Sequence, residues 1–179
     1  MSETFRQLLR ALPDFPEQLP DFDPATAPAD PAELFRQWLT EALDAGVAQP
    51  NACSLATADG LGRPSSRMLI LKDIDDDGWH FATSRTSRKG RELAAIPQAA
   101  LNFYWQEQGR QVRVAGRVVE LSAAASAADW DARPAADGSR NPDWQLYAIQ
   151  PLGIEFWQAR HDRRHVRHRY GPGQGSGLR

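Results

Sequence analysis

The chain has 179 residues, which suits one domain with a sizeable core or one domain with an added arm. A formal net charge of −2 and a sequence pI near 6.1 argue against a general binder of nucleic acid or other polyanions. The sequence has no Cys/His set with zinc spacing, no secretory signal pattern and no long apolar run. We therefore expect a cytoplasmic protein with no metal site and no membrane partner.

The first 29 residues form a proline-rich acidic arm. The first 34 residues hold seven acidic residues against two arginines. The prolines recur at near-regular spacing, at Pro13, Pro16, Pro20, Pro24 and Pro28. This composition predicts an extended or mobile arm.

Ordered structure is expected to begin at Asp30-Pro31-Ala32-Glu33, which combines an N-cap, a first-turn proline and a glutamate three residues after the cap. The helix that follows has one broad apolar face and should end near Gly46. Beyond it lie short strand patterns separated by turns and two short helices. The predicted strands are 52–58, 65–74, 79–83, 99–106, 111–121, 144–149, 154–158 and 163–170, and the predicted helices are 88–96 and 122–132.

This order predicts a mainly β fold with α additions (α+β), built as a barrel of antiparallel strands over residues 30–170. Residues 134–142 are predicted to be a loop and residues 171–179 a flexible tail. No Rossmann or P-loop glycine pattern is present, which disfavours those nucleotide sites. The single cysteine, Cys53, lies between apolar residues and is predicted to be a buried, unreactive side chain.

Only two of the 21 basic residues are lysines, and both lie in segments that could bind an anion. Lys72 ends a strand that begins near Arg67, so the two cations mark opposite ends and faces of an apolar strand. Either a ligand crosses this strand, or it is an edge strand with a charge at each end. Lys89 belongs to the segment 83–89, where four hydroxyls and three cations meet a helix start. That segment is either a phosphate cradle or a solvated helix cap, and the donor density favours the cradle.

A second basic segment occupies residues 160–169, with five arginines and three histidines. At strand period, alternate residues would share one face: Arg163, His165, Arg167 and Arg169. The overall charge and the absence of interleaved stacking aromatics disfavour nucleic acid, so an anionic or electron-rich small molecule is the better ligand. The preceding Trp157 could form a wall against a planar ring.

These segments together resemble the pyridoxamine 5′-phosphate oxidase family over about residues 31–170. The matching motifs are Arg67-x-x-x-x-Lys72, Phe81-x-Thr83 with Ser87-Arg88-Lys89, Arg110-Gln111-Val112, Glu155-Phe156-Trp157-Gln158 and Arg163-x-His165-x-Arg167. The resemblance implies an FMN-binding split β-barrel that forms a homodimer, with FMN across the subunit interface and residues 142–170 serving dimerisation and substrate binding.

The resemblance also implies roles for particular residues. The cofactor-binding set is Arg67, Met68, Leu69, Ile70, Leu71, Lys72, Thr83, Ser87, Arg88, Lys89, Gln111, Trp157 and Arg167, with Gln111 supplied by the partner subunit. Arg163 and His165 would be catalytic and face the substrate, while Lys72 and Arg133 would reach the substrate phosphate. The implied reaction passes a hydride from an amine- or alcohol-bearing carbon to FMN, and O2 then reoxidises the flavin.

The chain departs from the family pattern on the substrate side. Asp129 and Asp137 stand where the family has a tyrosine and a serine, and each carboxylate would repel a phosphate. Only about ten residues separate Pro134 from Trp144, so this shortened member lacks the longer family segment and its flavin-contacting Gln-Ser pair. We therefore expect a nearly intact flavin site and a rebuilt, more open substrate site.

Three functions follow from these observations. The first is an FMN oxidase of pyridoxamine or pyridoxine 5′-phosphate, favoured by the retained cations. The second is an FMN oxidase of another heteroaromatic, such as a phenazine-like intermediate of secondary metabolism, favoured by the lost phosphate donors. The third is a flavin-binding protein without turnover.

Overall fold

The structure is a computed structural model that describes residues 4–134 and 136–171. Its helices are α1 (Phe5–Ala11), α2 (Pro31–Asp44), α3 (Arg88–Ala95) and α4 (Ala123–Asp131). Its strands are β1 (Ala52–Ala58), β2 (Pro64–Ile70), β3 (Asp73–Asp75), β4 (Gly78–Ser84), β5 (Gln98–Trp105), β6 (Arg110–Glu120), β7 (Trp144–Gln158) and β8 (Val166–Tyr170). Within the described ranges, no helix is both long and apolar enough to cross a membrane.

All strand pairs are antiparallel, which confirms the predicted mainly β fold with α additions. The sheet runs in the order β2-β1-β5-β6-β7-β4-β3, and β8 adds to β7. The two ends of this order, β2 and β3, are consecutive in sequence. At their joint the Leu71 amide donates to Asn51 O and the Lys72 amide donates to His80 O. The chain thus passes directly from one end of the sheet to the other and closes it into a barrel.

The core fills the space between this sheet and α2. Phe35 of α2 lies 4.6 Å from Trp79 and 4.8 Å from Phe103, measured between ring centroids, in edge-to-face geometry. Arg110 is buried beside the same helix, lies over the Trp38 ring and pairs with Glu41. This family-motif arginine therefore anchors α2 to the sheet.

Cys53 is fully buried, as predicted. Burial raises the pKa of its thiol to about 12, so the thiolate is disfavoured at neutral pH.

Two predicted strand boundaries are wrong. The predicted strand 65–74 is two strands, because the chain changes partner from β1 to β4 at Leu71 and Lys72. The predicted strands 144–149 and 154–158 are one strand, β7, in which Pro151 and its neighbours form a β-bulge opposite Gly116. A bulge tolerates the proline that suggested a break.

The predicted strand 163–170 begins only at Val166. Arg163 has a φ of 62°, which lies in the left-handed region and belongs to a turn. Arg163 therefore does not continue the strand face that carries Arg167 and Arg169, and that part of the face prediction is corrected. His165, one residue before the strand, lines the same cavity as those two arginines.

The prediction of an extended or mobile arm is corrected at residues 5–11, which form α1 behind a capping box of Thr4 and Gln7. The following residues pack on the barrel. Phe22 meets the Trp38 ring edge-on at 5.0 Å, and the Tyr170 hydroxyl donates to Pro28 O at 2.7 Å. Of the predicted tail, residues 172–179 lie outside the described residues.

Candidate functional site

A buried carboxylate organises the predicted phosphate cradle. Glu92 of α3 is only 5% exposed and accepts hydrogen bonds from Thr57 at 2.5 Å and Ser65 at 2.7 Å. Arg67 reaches the same carboxylate at 3.2 Å and Arg88 reaches it at 2.8 Å. The two hydroxyl donors, with help from the two arginines, lower the pKa of Glu92 to about 2 despite its burial.

Lys89 is the cation of this cluster that stays without a counterion. It is half-buried and makes no ion pair with any residue in the described part of the chain. Burial, and then the nearby charge of Arg67, lower its pKa. Ser87 caps α3 by accepting from the Gly90 amide at 3.1 Å, and its hydroxyl lies 3.2 Å from the Thr83 hydroxyl. Unpaired positive charge, hydroxyls and a helix start together suit a phosphate monoester.

The strand β2 divides its side chains as strand alternation predicts. Arg67 and Leu69 point inward, while Met68 and Ile70 are exposed by 67% and 42% on the outer face. Leu71 is buried just beyond the strand. Exposed apolar side chains beside the cradle could cover a planar ring or a second subunit.

A second group of predicted residues lies on strands β6, β7 and β8. Gln111 of β6, Trp157 of β7 and Arg167 of β8 are direct cross-strand partners and form one row. They line a cavity of about 500 Å³ together with His165. The row therefore presents an amide, an indole and a guanidinium to the same space.

The cavity wall beyond this row is held by an ion-pair triad. Glu155 accepts from Arg113 and from Arg169, each at 2.5 Å. Burial opposes ionisation of Glu155, but the hydrogen bonds from Arg169 and Arg113 outweigh it and lower its pKa. The two arginines therefore share one carboxylate, and the triad keeps a net positive charge at the cavity wall.

The two predicted catalytic residues lie under the N-terminal arm. Arg163 pairs with Asp14 at 2.7 Å, and both side chains are about two-thirds exposed. The His165 ring lies 4.8 Å from the Trp157 ring and 6.0 Å from the Phe15 ring, and its Nδ1 accepts from the Arg160 amide. The arm thus borders the cavity with one carboxylate and one aromatic ring.

The two predicted phosphate-binding cations of the substrate side are engaged by α4. Lys72 lies 3.2 Å from Asp129, whose other carboxylate oxygen accepts from the Trp144 indole at 2.8 Å. Arg133 stacks 3.0 Å above the Trp130 ring centroid. Each of the two cations thus has a partner on α4.

Asp137, the second departure from the family pattern, stabilises its own turn. It accepts from the Ser139 amide at 2.9 Å. Hydrogen bonds from Ser139 lower its pKa.

The structure therefore gathers the predicted residues into separate clusters. One cluster holds Arg67, Thr83, Ser87, Arg88 and Lys89; the other holds Gln111, Trp157, His165 and Arg167. Within residues 4–134 and 136–171, no hydrogen bond or ion pair joins them.

Sequence reasoning missed Glu92, Asp14 and Phe15. The four-residue spacing from Arg88 to Glu92 on one helix could have suggested the first. Phe15 stands between two prolines in an acidic segment, a pattern that gives no indication of its tertiary contact.

Comparison with known proteins identifies the family. Residues 39–158 match the family model described as pyridoxamine 5′-phosphate oxidase. Residues 144–177 match the model of the pyridoxine 5′-phosphate oxidase C-terminal dimerisation region. The chain belongs to the pyridoxamine 5′-phosphate oxidase family, whose members are FMN-dependent oxidoreductases. The dimerisation-region match supports a homodimer.

Individual relatives agree with this assignment. The pyridoxine/pyridoxamine 5′-phosphate oxidase of Thermosynechococcus vestitus is 41% identical over 79% of this chain and 82% of its own length. The enzyme of the same name from Paraburkholderia phytofirmans is 39% identical over 83% and 85%.

Solved structures confirm the FMN-binding split-barrel fold. PhzG from Burkholderia lata, in complex with tetrahydrophenazine-1-carboxylic acid, superposes with a TM-score of 0.79 at 32% identity, covering 84% of this chain and 90% of that one. A pyridoxamine 5′-phosphate oxidase-related FMN-binding protein from Nostoc punctiforme has a TM-score of 0.58 at 17% identity and covers 82% of this chain, a likeness of fold alone.

Proposed function

We propose that this protein is an FMN-dependent oxidase that takes a hydride from an amine- or alcohol-bearing carbon of a heteroaromatic substrate and uses O2 as the final acceptor. The observation that carries the proposal is the unpaired Lys89 at the start of α3, beside Arg67, Ser87 and Arg88. A half-buried cation without a counterion suits a phosphate group, and FMN supplies one.

Two sets of residues would hold the cofactor. Arg67, Thr83, Ser87, Arg88 and Lys89 would bind its phosphate and ribityl end, and the segment 68–72 would line its ring. Gln111, Trp157 and Arg167 would approach from the partner subunit. FMN, when bound, supplies the two-electron redox chemistry.

The chain's own groups would position the substrate and shape the local charge. Trp157 offers a flat wall for an aromatic ring, and Arg167 adds positive charge beside it. Arg163 and His165 would face the substrate from the turn that precedes β8. Holding the substrate carbon in line for transfer would account for most of what the protein contributes.

Pyridoxamine or pyridoxine 5′-phosphate is the first substrate candidate, because curated relatives near 40% identity bear that activity in their names. Retention of Lys72, Arg133, Arg163 and His165 agrees with it. Against it, three of these four residues are already engaged by residues of the same chain, Lys72 by Asp129, Arg133 by Trp130 and Arg163 by Asp14.

A heteroaromatic without a phosphate, of the tricyclic phenazine type, is the second candidate. The ion pair between Lys72 and Asp129 favours it, because a substrate phosphate would have to displace a carboxylate from that lysine. The similarity to PhzG, whose structure holds a tetrahydrophenazine carboxylic acid, agrees with this choice.

Anaerobic mixing of FMN-loaded protein with each candidate tests the proposal. Loss of the oxidised flavin absorbance with pyridoxamine 5′-phosphate supports the first substrate, and loss with tetrahydrophenazine-1-carboxylic acid supports the second. Admission of air should restore the absorbance and release peroxide. Protein that binds FMN but is bleached by neither compound would contradict both oxidase assignments and favour a flavin-binding role without turnover.

A further inference from the structure

The hairpin formed by β3 and β4 carries a cluster of metal-binding side chains outside the site described above. Asp73 and Asp75 lie on β3 and His80 lies on β4, and one ligand atom from each falls within 4.8 Å of the others. Both aspartates are exposed, whereas His80 is only 5% exposed. The cluster therefore joins two solvent-facing carboxylates to a buried imidazole.

The imidazole has an unsatisfied nitrogen directed at this cluster. His80 Nε2 is buried and makes no hydrogen bond with any residue that the structure describes. It lies 2.8 Å from Asp75 Oδ1, within ion-pair distance, but no hydrogen bond joins these two atoms. Buried polar atoms in folded proteins almost always have a partner, so this nitrogen indicates that the cluster binds a ligand.

The two carboxylates are oriented by the backbone. Asp73 Oδ1 accepts from the Ile74 amide and Asp75 Oδ1 accepts from the Asp77 amide, each at 2.8 Å. Such second contacts are typical of carboxylates that ligate metals. Two ligands about 2.1 Å from one tetrahedral ion are roughly 3.4 Å apart, so the observed 2.8 Å between nitrogen and oxygen would widen by about half an ångström when the ion binds.

The negative charge of this hairpin also favours a bound cation. Four of the five residues from Asp73 to Asp77 are acidic. In the described part of the chain, none of these carboxylates pairs with a lysine or arginine. Arg36, which reaches the hairpin, donates to the Ile74 carbonyl instead.

We propose that Asp73, Asp75 and His80 form a binding site for a divalent first-row transition metal such as Zn²⁺, with water completing its coordination. One imidazole and two carboxylates favour such an ion over Ca²⁺, which prefers oxygen ligands alone. Because β3 ends the sheet order and the Lys72 amide donates to His80 O, the ion braces the hairpin beside the barrel joint.

Calorimetric titration of tag-free, FMN-loaded protein with ZnCl2 tests this site. We expect one ion per chain, and we expect Asp73→Asn and Asp75→Asn each to weaken binding by more than about tenfold. Asp76→Asn is the matched control, since it removes an acid of the same turn that is outside the cluster, and it should bind as the unmodified protein does. ZnCl2 should raise the melting temperature of the control and not that of the Asp73 variant.

Three results would overturn the proposal. The first is no heat of binding at millimolar ZnCl2. The second is unchanged binding in both Asp73→Asn and Asp75→Asn, which would place the ion elsewhere, for example at the histidines between residues 161 and 168. The third is equally tight binding of CaCl2, which would contradict the assignment to a transition metal. The test does not require the buried His80 to be replaced, so a folding defect cannot obscure it.

Discussion

The start of α3 and the α4–β7 region both gather cations, yet they use them differently. At α3, Glu92 neutralises part of the charge of Arg67 and Arg88, and Lys89 pairs with no carboxylate among the residues that the structure describes. At α4, Asp129 pairs with Lys72 and the Trp130 ring covers Arg133. The first region keeps charge available for an anion, whereas the second satisfies its charge internally.

Under the proposed function, this difference would let the FMN site keep its charge while the substrate site changes. A phosphate entering at α3 meets a cation whose burial already disfavours its charge, so the anion relieves an electrostatic cost. A phosphate entering at α4 must first break an ion pair that is mostly shielded from solvent. Four substitutions test this contrast, from the largest expected effect to the smallest.

Lys89→Ala should cause the largest loss. Removing a charged hydrogen-bond donor costs about 1.5–3 kcal/mol, which corresponds to roughly 10- to 100-fold weaker FMN binding. Flavin fluorescence during titration of apoprotein measures this. Arg117→Ala, which removes an exposed cation from β6, is the control and should bind FMN normally. Equal FMN affinity in the two variants would show that α3 does not hold the phosphate.

Glu92→Gln should weaken FMN binding by up to about tenfold, because it frees Arg67 and Arg88 from their fixed positions without removing them. It should also lower the melting temperature by several degrees. The folded pKa of Glu92, about 2, lies below the ordinary value of 4.5. Its stabilising effect is therefore fully present above about pH 4.5 and is lost as the pH falls towards 2.

Thermal melts of both proteins between neutral pH and pH 3 measure this contribution. The difference in melting temperature between the unmodified protein and Glu92→Gln should shrink as the pH falls. A difference that stays constant with pH would contradict the role given to the ionised carboxylate.

Asp129→Asn should release Lys72 for a phosphate while keeping an acceptor for the Trp144 indole. We expect the KM for pyridoxamine 5′-phosphate to fall by about three- to tenfold, that is by at most about 1.4 kcal/mol. Steady-state peroxide production measures it, and Asp131→Asn on the same helix is the control. No change in KM, or a rise, would mean that the ion pair does not limit phosphate binding.

Asp14→Asn should have the smallest effect. The pair between Asp14 and Arg163 is well exposed, and such pairs contribute at most about 1 kcal/mol. The KM for the active substrate should change by less than about fivefold. Asp21→Asn, which removes an acid of the same arm, is the control. A large fall in kcat would show that the arm takes part in the reaction rather than bordering the cavity.

Much of the fold could be predicted because local signals agreed with it. The N-cap and proline before α2, and the alternation in β2, are properties of neighbouring residues. The split of residues 65–74 could not be predicted, because it depends on which strand the chain pairs with after Leu71. The bulge at Pro151 likewise depends on the close approach of Gly116 across the sheet.

The sequence indicated which residues could form the candidate site, but it indicated few of the contacts between them. Motif spacing placed Gln111, Trp157 and Arg167, which the structure joins in one row. It could not show that Glu92 links two of the predicted cations, or that Phe15 lies against the His165 ring. The contacts of Glu92 with Arg67 and of Phe15 with His165 join residues that are far apart in sequence.

Leu71 and Lys72 together connect the two ends of the sheet at the barrel joint. Their amides are adjacent in sequence but bond to opposite ends of the sheet, so either end can separate only by releasing one of them. A ligand bound by Lys72 would therefore stabilise the contact between the two ends of the sheet. Deuterium uptake at these two amides should therefore slow together when such a ligand binds. The exchange rates of this pair would report the stability of the barrel closure.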